Sequence, residues 1–202
     1  MIDRVAEPVG RYSAPFRLLV PLRLVMAPAL LLLAFLSLPR AYAVVLAASL
    51  VIDVAGGASR WHGQRSGWRA RLARWTDLAT YTSLPLCAWW LRPDLVQADA
   101  VTFWALVAAF AVPVAFHFIK YGELTAAPAR AASIAAHVVA GAAAILFGLG
   151  PIWPLYIAAA LLVAAALEQV AITALLPRPI GEARSLPMAL RIRRESFLDA
   201  DD

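Results

Sequence analysis

The chain has 202 residues, 62% of them hydrophobic and only 15% charged, with a mean hydropathy of +0.73. A water-soluble domain is nearer half apolar and a quarter charged, so much of this surface has to face lipid. Disorder, a collagen-like repeat and a disulfide scaffold are excluded too, because apolar content is high, glycine is sparse and Cys87 is alone. The net charge of +5 fits arginines lying beside anionic lipid at a cytoplasmic surface better than a nucleic-acid partner.

In chain order, residues 1–15 carry mixed charge and two prolines. They read as a cytoplasmic N-terminal segment, not as a cleaved signal. Six apolar stretches then fill a membrane domain over 16–176, at 16–37, 41–59, 73–91, 99–119, 131–149 and 153–176. Each is close to the ~20 residues that ~30 Å of hydrocarbon requires. Asp53 and two glycines interrupt the end of the second stretch, and Asp77, Thr80, Thr82 and Ser83 punctuate the third. Pro21, Pro28, Pro85 and Pro113 fall inside stretches, where each frees a backbone carbonyl that neighbouring helices can satisfy. Residues 177–202 form a polar tail, for which a solvated chain is expected in preference to an interfacial helix at SLPMALRIRRESFL.

The predicted fold is therefore an all-α integral membrane protein with six transmembrane helices. The arginines orient it. Arg4, Arg11, Arg17 and Arg23 lie at or before the first span, and Arg60, Arg65, Arg69, Arg71 and Arg74 between the second and third. Lys120 and Arg130 flank the loop after the fourth span, and five more arginines are in the tail; the other side has only Arg40 and Arg92. Both termini are thus expected in the cytoplasm. The tryptophans form two belts, Trp61, Trp68 and Trp75 inside and Trp89, Trp90, Trp104 and Trp153 outside.

Of the thirteen acids only Asp53, Asp77 and Glu168 lie within spans beyond a first residue, Asp99 standing at the very start of the fourth. In this topology all three fall in the cytoplasmic half of the bilayer, together with His117 and His137. Intramembrane ionisable groups are costly and tend to be functional, so the pattern predicts a polar cavity open to the cytoplasm. The plainer reading of each is a helix–helix hydrogen bond or a pairing with arginine. Asp53, Gly56, Gly57 and Arg60 are spaced i, i+3, i+4, i+7 and share one helix face. Small residues there admit a close neighbour, and an arginine at the membrane edge suits a phosphate. A glycine-mediated helix contact with a snorkelling arginine is the alternative.

These residues resemble those of the CDP-alcohol phosphotransferases, whose signature is D-x-x-D-G-x-x-A-R, eight residues, then G-x-x-x-D-x-x-x-D. The stretches LRLVMAPALLLLA, AYAVVLAASLVIDVAGGASRWHG, RLARWTDLATY and GPIWPLYIAAALLVAAALEQVAITALLP are similar to spans of that family. Anchored on Arg60, Gly56 takes the motif glycine, Ser59 the alanine and Asp77 the fourth acid. Anchored on Asp53, that residue is the first acid and Gly57 the motif glycine. A one-residue deletion between Gly57 and Arg60 joins the two registers, leaving Gly56 and Ala73 where the second and third acids stand in the family. The other register makes Asp77 the third acid and Tyr81 the fourth.

The resemblance implies a six-span phosphotransferase of phospholipid biosynthesis in the plasma (inner) membrane. It would transfer a phosphatidyl-like group from a CDP-linked donor to a small or lipid alcohol and release CMP. Asp77 is then the base or a metal ligand, Asp53 a ligand to Mg²⁺ or Mn²⁺, and Arg60 a phosphate contact. Gly56 and Gly57 leave room for the nucleotide; Glu168, by its depth in the sixth span and not by the resemblance, is a candidate supporting ligand. A homodimer is implied as well. Two other functions fit the residues: a catalytically impaired relative that binds lipid or nucleotide or serves as a partner subunit, and a small transporter or proton relay using the aligned acids and histidines.

Overall fold

The computed structural model describes residues 14–60, 80, 83–122, 129–177 and 185–198. Among the described residues every regular element is an α-helix. The elements are α1 (Ala14–Phe35), α2 (Pro39–Arg60), α3 (83–91), α4 (Pro93–Ala98), α5 (Ala100–Tyr121), α6 (Arg130–Leu149), α7 (Trp153–Leu175) and α8 (Leu186–Leu198). Helices α5, α6 and α7 are long and apolar enough to cross a membrane. Helices α1 and α2 have 22 residues each, or about 33 Å of rise.

Local chemistry sets the boundaries. The Asp99 carboxylate accepts from the Thr102 N–H at the start of α5, at a long 3.5 Å. Gly122 ends that helix in the left-handed region, and Gly150 ends α6 in the same way, donating its N–H to the Ile145 and Leu146 carbonyls. Glycine tolerates this conformation because it has no Cβ. The turn between α1 and α2 lacks that convenience. Ser37 sits at φ 54° in a tight connection where its N–H donates to Ala34 and the Leu38 N–H donates to Leu33.

The bundle is organised around α6, which packs on α2 along one side and on α7 along the other; α7 also packs on α5, and α2 on α1. One core joins α1, α2, α3 and α6 through Leu30, Ala34, Tyr42, Leu46, Cys87 and Phe147. Tyr42 meets Phe147 edge-to-face at 5.3 Å, a favoured aromatic geometry. A second core between α5, α6 and α7 is mostly alanine, with Leu106, Val139 and Leu162 among the larger members. Small residues permit the close helix approach typical of packing within lipid. The outward faces are apolar instead of charged: Val101 is 83% exposed, Leu149 81% and Ile119 80%. Such a surface is matched to hydrocarbon, not to water.

The tail differs from the sequence expectation. Part of it forms α8, which packs on α7, and Ala189 is wholly buried against Ile172, Leu176 and Ala129. The reason is tertiary. Leu186, Ala189 and Ile192 repeat every three residues and make one apolar stripe, and the end of α7 supplies the apolar surface that covers it. The connection between α3 and α5 also holds the short α4, begun by Pro93, which the sequence reading did not include.

Candidate functional site

Three contacts establish which helix ends meet. Ala43, near the start of α2, lies against Gly148, near the end of α6. The Ala129 N–H, at the start of α6, donates to Gln169 Oε1 near the end of α7 at 2.6 Å. Lys120 and Tyr121, closing α5, reach the carbonyls that close α7. The C-terminal ends of α2, α5 and α7 therefore share one end of the bundle with the N-terminal end of α6. Asp53, His117, His137 and Glu168 each stand within about 11 Å of that end by helix rise. The structure thus brings four of the five polar groups singled out from the sequence into one half of the bundle. The fifth, Asp77, lies outside the described residues, as do Trp61, Trp68 and Trp75.

Asp53 is buried, with 6% of its surface exposed. Helix α2 runs unbroken through the two glycines to Arg60, so Asp53, Gly56, Gly57 and Arg60 do occupy successive turns of a single helix. Ser49, one turn before Asp53, is buried as well. It lengthens the polar stripe on α2. Its signal in the sequence was the i−4 spacing from Asp53, which hydropathy alone does not mark.

The other polar groups at this end have structural partners. Lys120 Nζ donates to the Thr173 carbonyl at 2.7 Å and to the Ala174 carbonyl at 2.9 Å. The Tyr121 hydroxyl lies 3.0 Å from the Thr173 carbonyl and 2.7 Å from that of Leu176. These are carbonyls that a helix end leaves unsatisfied, and a cation there also complements the helix dipole. His117 is buried with its ring 4.7 Å from that of Tyr121. His137 Nδ1 lies 2.6 Å from the Ser133 carbonyl one turn earlier. Glu168 Oε1 accepts from the Leu186 N–H at 3.1 Å, so this carboxylate sits at the N-terminus of α8. Among the described residues no three His, Cys, Asp or Glu side chains gather to hold a metal ion. Asp53 by itself is short of a cation site, and Asp77 lies outside the described residues.

Neither a family model, nor a curated protein, nor a solved structure matches this chain. Its chemistry rests on its own residues.

The opposite end of the bundle holds a cavity of about 80 Å³ between α3, α5, α6 and α7. Its deeper walls are apolar, from Leu106, Phe110, Val139 and Ala143, and its polar members are Arg92, Asp99 and Thr102. Arg92 pairs with Asp94 on α4 at 3.1 Å. The hydrogen bond from that guanidinium holds the exposed Asp94 carboxyl below its ordinary range. This cavity is not the polar one predicted at the Asp53 end.

Proposed function

We propose that the protein is a six-span membrane enzyme of the CDP-alcohol phosphotransferase type, multi-pass in the plasma (inner) membrane, with both termini and the Asp53 end of the bundle cytoplasmic. The observation that carries this reading is the unbroken α2, which keeps the buried Asp53 on one helix with Gly56, Gly57 and Arg60. The distribution of charge supports the orientation. Arg60, Lys120, Arg130 and the arginines of α8 belong to the Asp53 end, while Arg40 and Arg92 belong to the other.

In this reading the donor is a CDP-linked lipid such as CDP-diacylglycerol, and the acceptor is a small or lipid alcohol. Asp53 and Asp77 would together hold Mg²⁺ or Mn²⁺, whose bound charge offsets that of the donor's diphosphate. Arg60 binds a phosphate at the membrane edge, and Gly56 and Gly57 let the nucleotide approach α2. Asp77 takes the proton of the acceptor hydroxyl as its oxygen attacks the lipid-side phosphorus. The bond from that phosphorus to the bridging oxygen breaks, and CMP leaves with the oxygen. A homodimer belongs to this reading through the family resemblance.

A second reading keeps the cleft without the chemistry. The Glu168 carboxylate favours it, because its engagement with the Leu186 N–H leaves it serving α8 instead of replacing the acids absent at Gly56 and Ala73. CMP release from CDP-diacylglycerol by purified protein, with a pool of alcohols and with or without Mg²⁺ or Mn²⁺, decides between them. Metal-dependent release that Asp77→Asn abolishes is the expected result. Nucleotide binding without release would establish the second reading, and neither binding nor release would overturn both.

A further inference from the structure

Two contacts set the course of α8 beside α7. Its first N–H, that of Leu186, meets the Glu168 carboxylate, and Ala189, one turn on, is buried against Ile172 and Leu176. Both helices therefore advance in the same sense, toward the end of the bundle that holds Asp53. Leu186 stands level with Glu168, about 11 Å of rise before α7 closes at Leu175. Ala189 stands level with the last turn of α7, so the residues after it pass beyond that turn.

The composition of α8 changes at that level. Residues 186–190 read LPMAL and 191–194 read RIRR. Leu186, Ala189 and Ile192 face the bundle. Met188 and Leu190 flank that stripe and are 42% and 50% exposed. Arg191, Arg193 and Arg194 are exposed as well. Leu190 shares one flank with Arg193 and Arg194, at i, i+3 and i+4, and Met188 shares the other with Arg191, at i and i+3. Each flank thus runs from an apolar side chain to a guanidinium further along. A leaflet presents its layers in the same order, hydrocarbon first and phosphate next. The charge of α8 is three arginines against one acid, Glu195. Arg130, at the start of α6, is exposed at this end too. Of the acids described there, Asp53 is buried and Glu168 is engaged by Leu186.

We propose that α8 is a docking surface for anionic phospholipid in the leaflet at the Asp53 end, with Met188 and Leu190 among the upper acyl carbons and Arg191, Arg193 and Arg194 on the phosphates. Charge complementarity and depth set the occupant. The planar fork of a guanidinium suits a phosphate, and an anionic leaflet attracts a basic cluster at its surface. A zwitterionic leaflet offers the phosphates without the net charge. An acidic protein would match the arginines but not the apolar side chains that precede them on both flanks. The proposal rests on α7 crossing a membrane, for which it is long and apolar enough. It does not rest on the phosphotransferase reading, because neither Asp53 nor Asp77 takes part.

The test is amide hydrogen exchange of the full chain in nanodiscs of phosphatidylcholine, alone or mixed with phosphatidylglycerol. Exchange across Leu186–Leu198 should be slower in the anionic discs by about fivefold or more, the effect of one arginine near an anionic leaflet, while α6 is unchanged. At about 1 M salt, where the screening length falls to about 3 Å, that difference should shrink to under about twofold. Arg191→Gln, Arg193→Gln and Arg194→Gln combined leave the apolar stripe and the Glu168 contact in place, and should abolish the difference between discs. The corresponding triple change to lysine keeps the charge and should keep the difference. Equal exchange of α8 in the two kinds of disc would overturn the proposal and leave the arginines to an acidic protein. So would a difference that survives the glutamine triple, or one that α6 shares in full.

Discussion

Replacing Glu168 separates two roles for one carboxylate. As a ligand it would act at the Asp53 end; as seen here, its Oε1 accepts the Leu186 N–H and places a negative charge at the start of α8. The first N–H groups of a helix have no partner within it, and an anion there also meets the positive end of the dipole. Removing a cap of this kind costs about 1–2 kcal/mol. Because Ala189 holds α8 against Ile172 and Leu176, this cost falls on the docking of α8 and not on the whole bundle. A change of 1–2 kcal/mol multiplies the open population by about 5–30. Amide hydrogen exchange across Leu186–Leu198 should therefore quicken by that factor in Glu168→Ala. Protection in α6 should be unchanged. Glu168→Gln, which keeps an acceptor oxygen without the charge, should lie between. If α8 exchanges at the same rate in all three proteins, the capping role is wrong. If CMP release falls while α8 protection holds, the ligand role is right.

Two further outcomes follow from the ends of other helices. Lys120→Met removes two donors from the closing carbonyls of α7, and at roughly 1–2 kcal/mol should lower the apparent Tm in detergent by about 2–8 °C. Lys120→Arg should restore part of this loss, and Tyr121→Phe, which removes the hydroxyl beside the same turn, should cost about 1 kcal/mol. An unchanged Tm in Lys120→Met would refute the clamp. Ser37→Gly should raise stability by several tenths of a kcal/mol or more, because the left-handed φ of 54° disfavours a side chain. Ser37→Val should lower it, and thermal unfolding of the pair checks the sign.

What the sequence made legible, and what it did not, follows from the range of the forces involved. Helix positions were readable because hydropathy and length act locally; the predicted stretch 131–149 differs from α6, Arg130–Leu149, by one residue. Gly150 followed by Pro151 marks that boundary in the sequence. The continuity of α2 was less evident, since two adjacent glycines lower helix propensity by about 1 kcal/mol each relative to alanine; in the structure the helix nevertheless runs to Arg60. Helix α8 was only half legible: SLPMALRIRRESFL offered a helix as the lesser alternative to a solvated chain, because its apolar stripe is narrow and becomes meaningful only when Ile172 and Leu176 are beside it. The same limit applied to the functional residues. Asp53 stood out because an acid within an apolar stretch is conspicuous on its own. Ser49 did not, because a serine is marked only by the burial it shares with Asp53. Chemistry that hydropathy places inside a membrane can be read from one helix, whereas chemistry created by the space between helices has to wait for their packing.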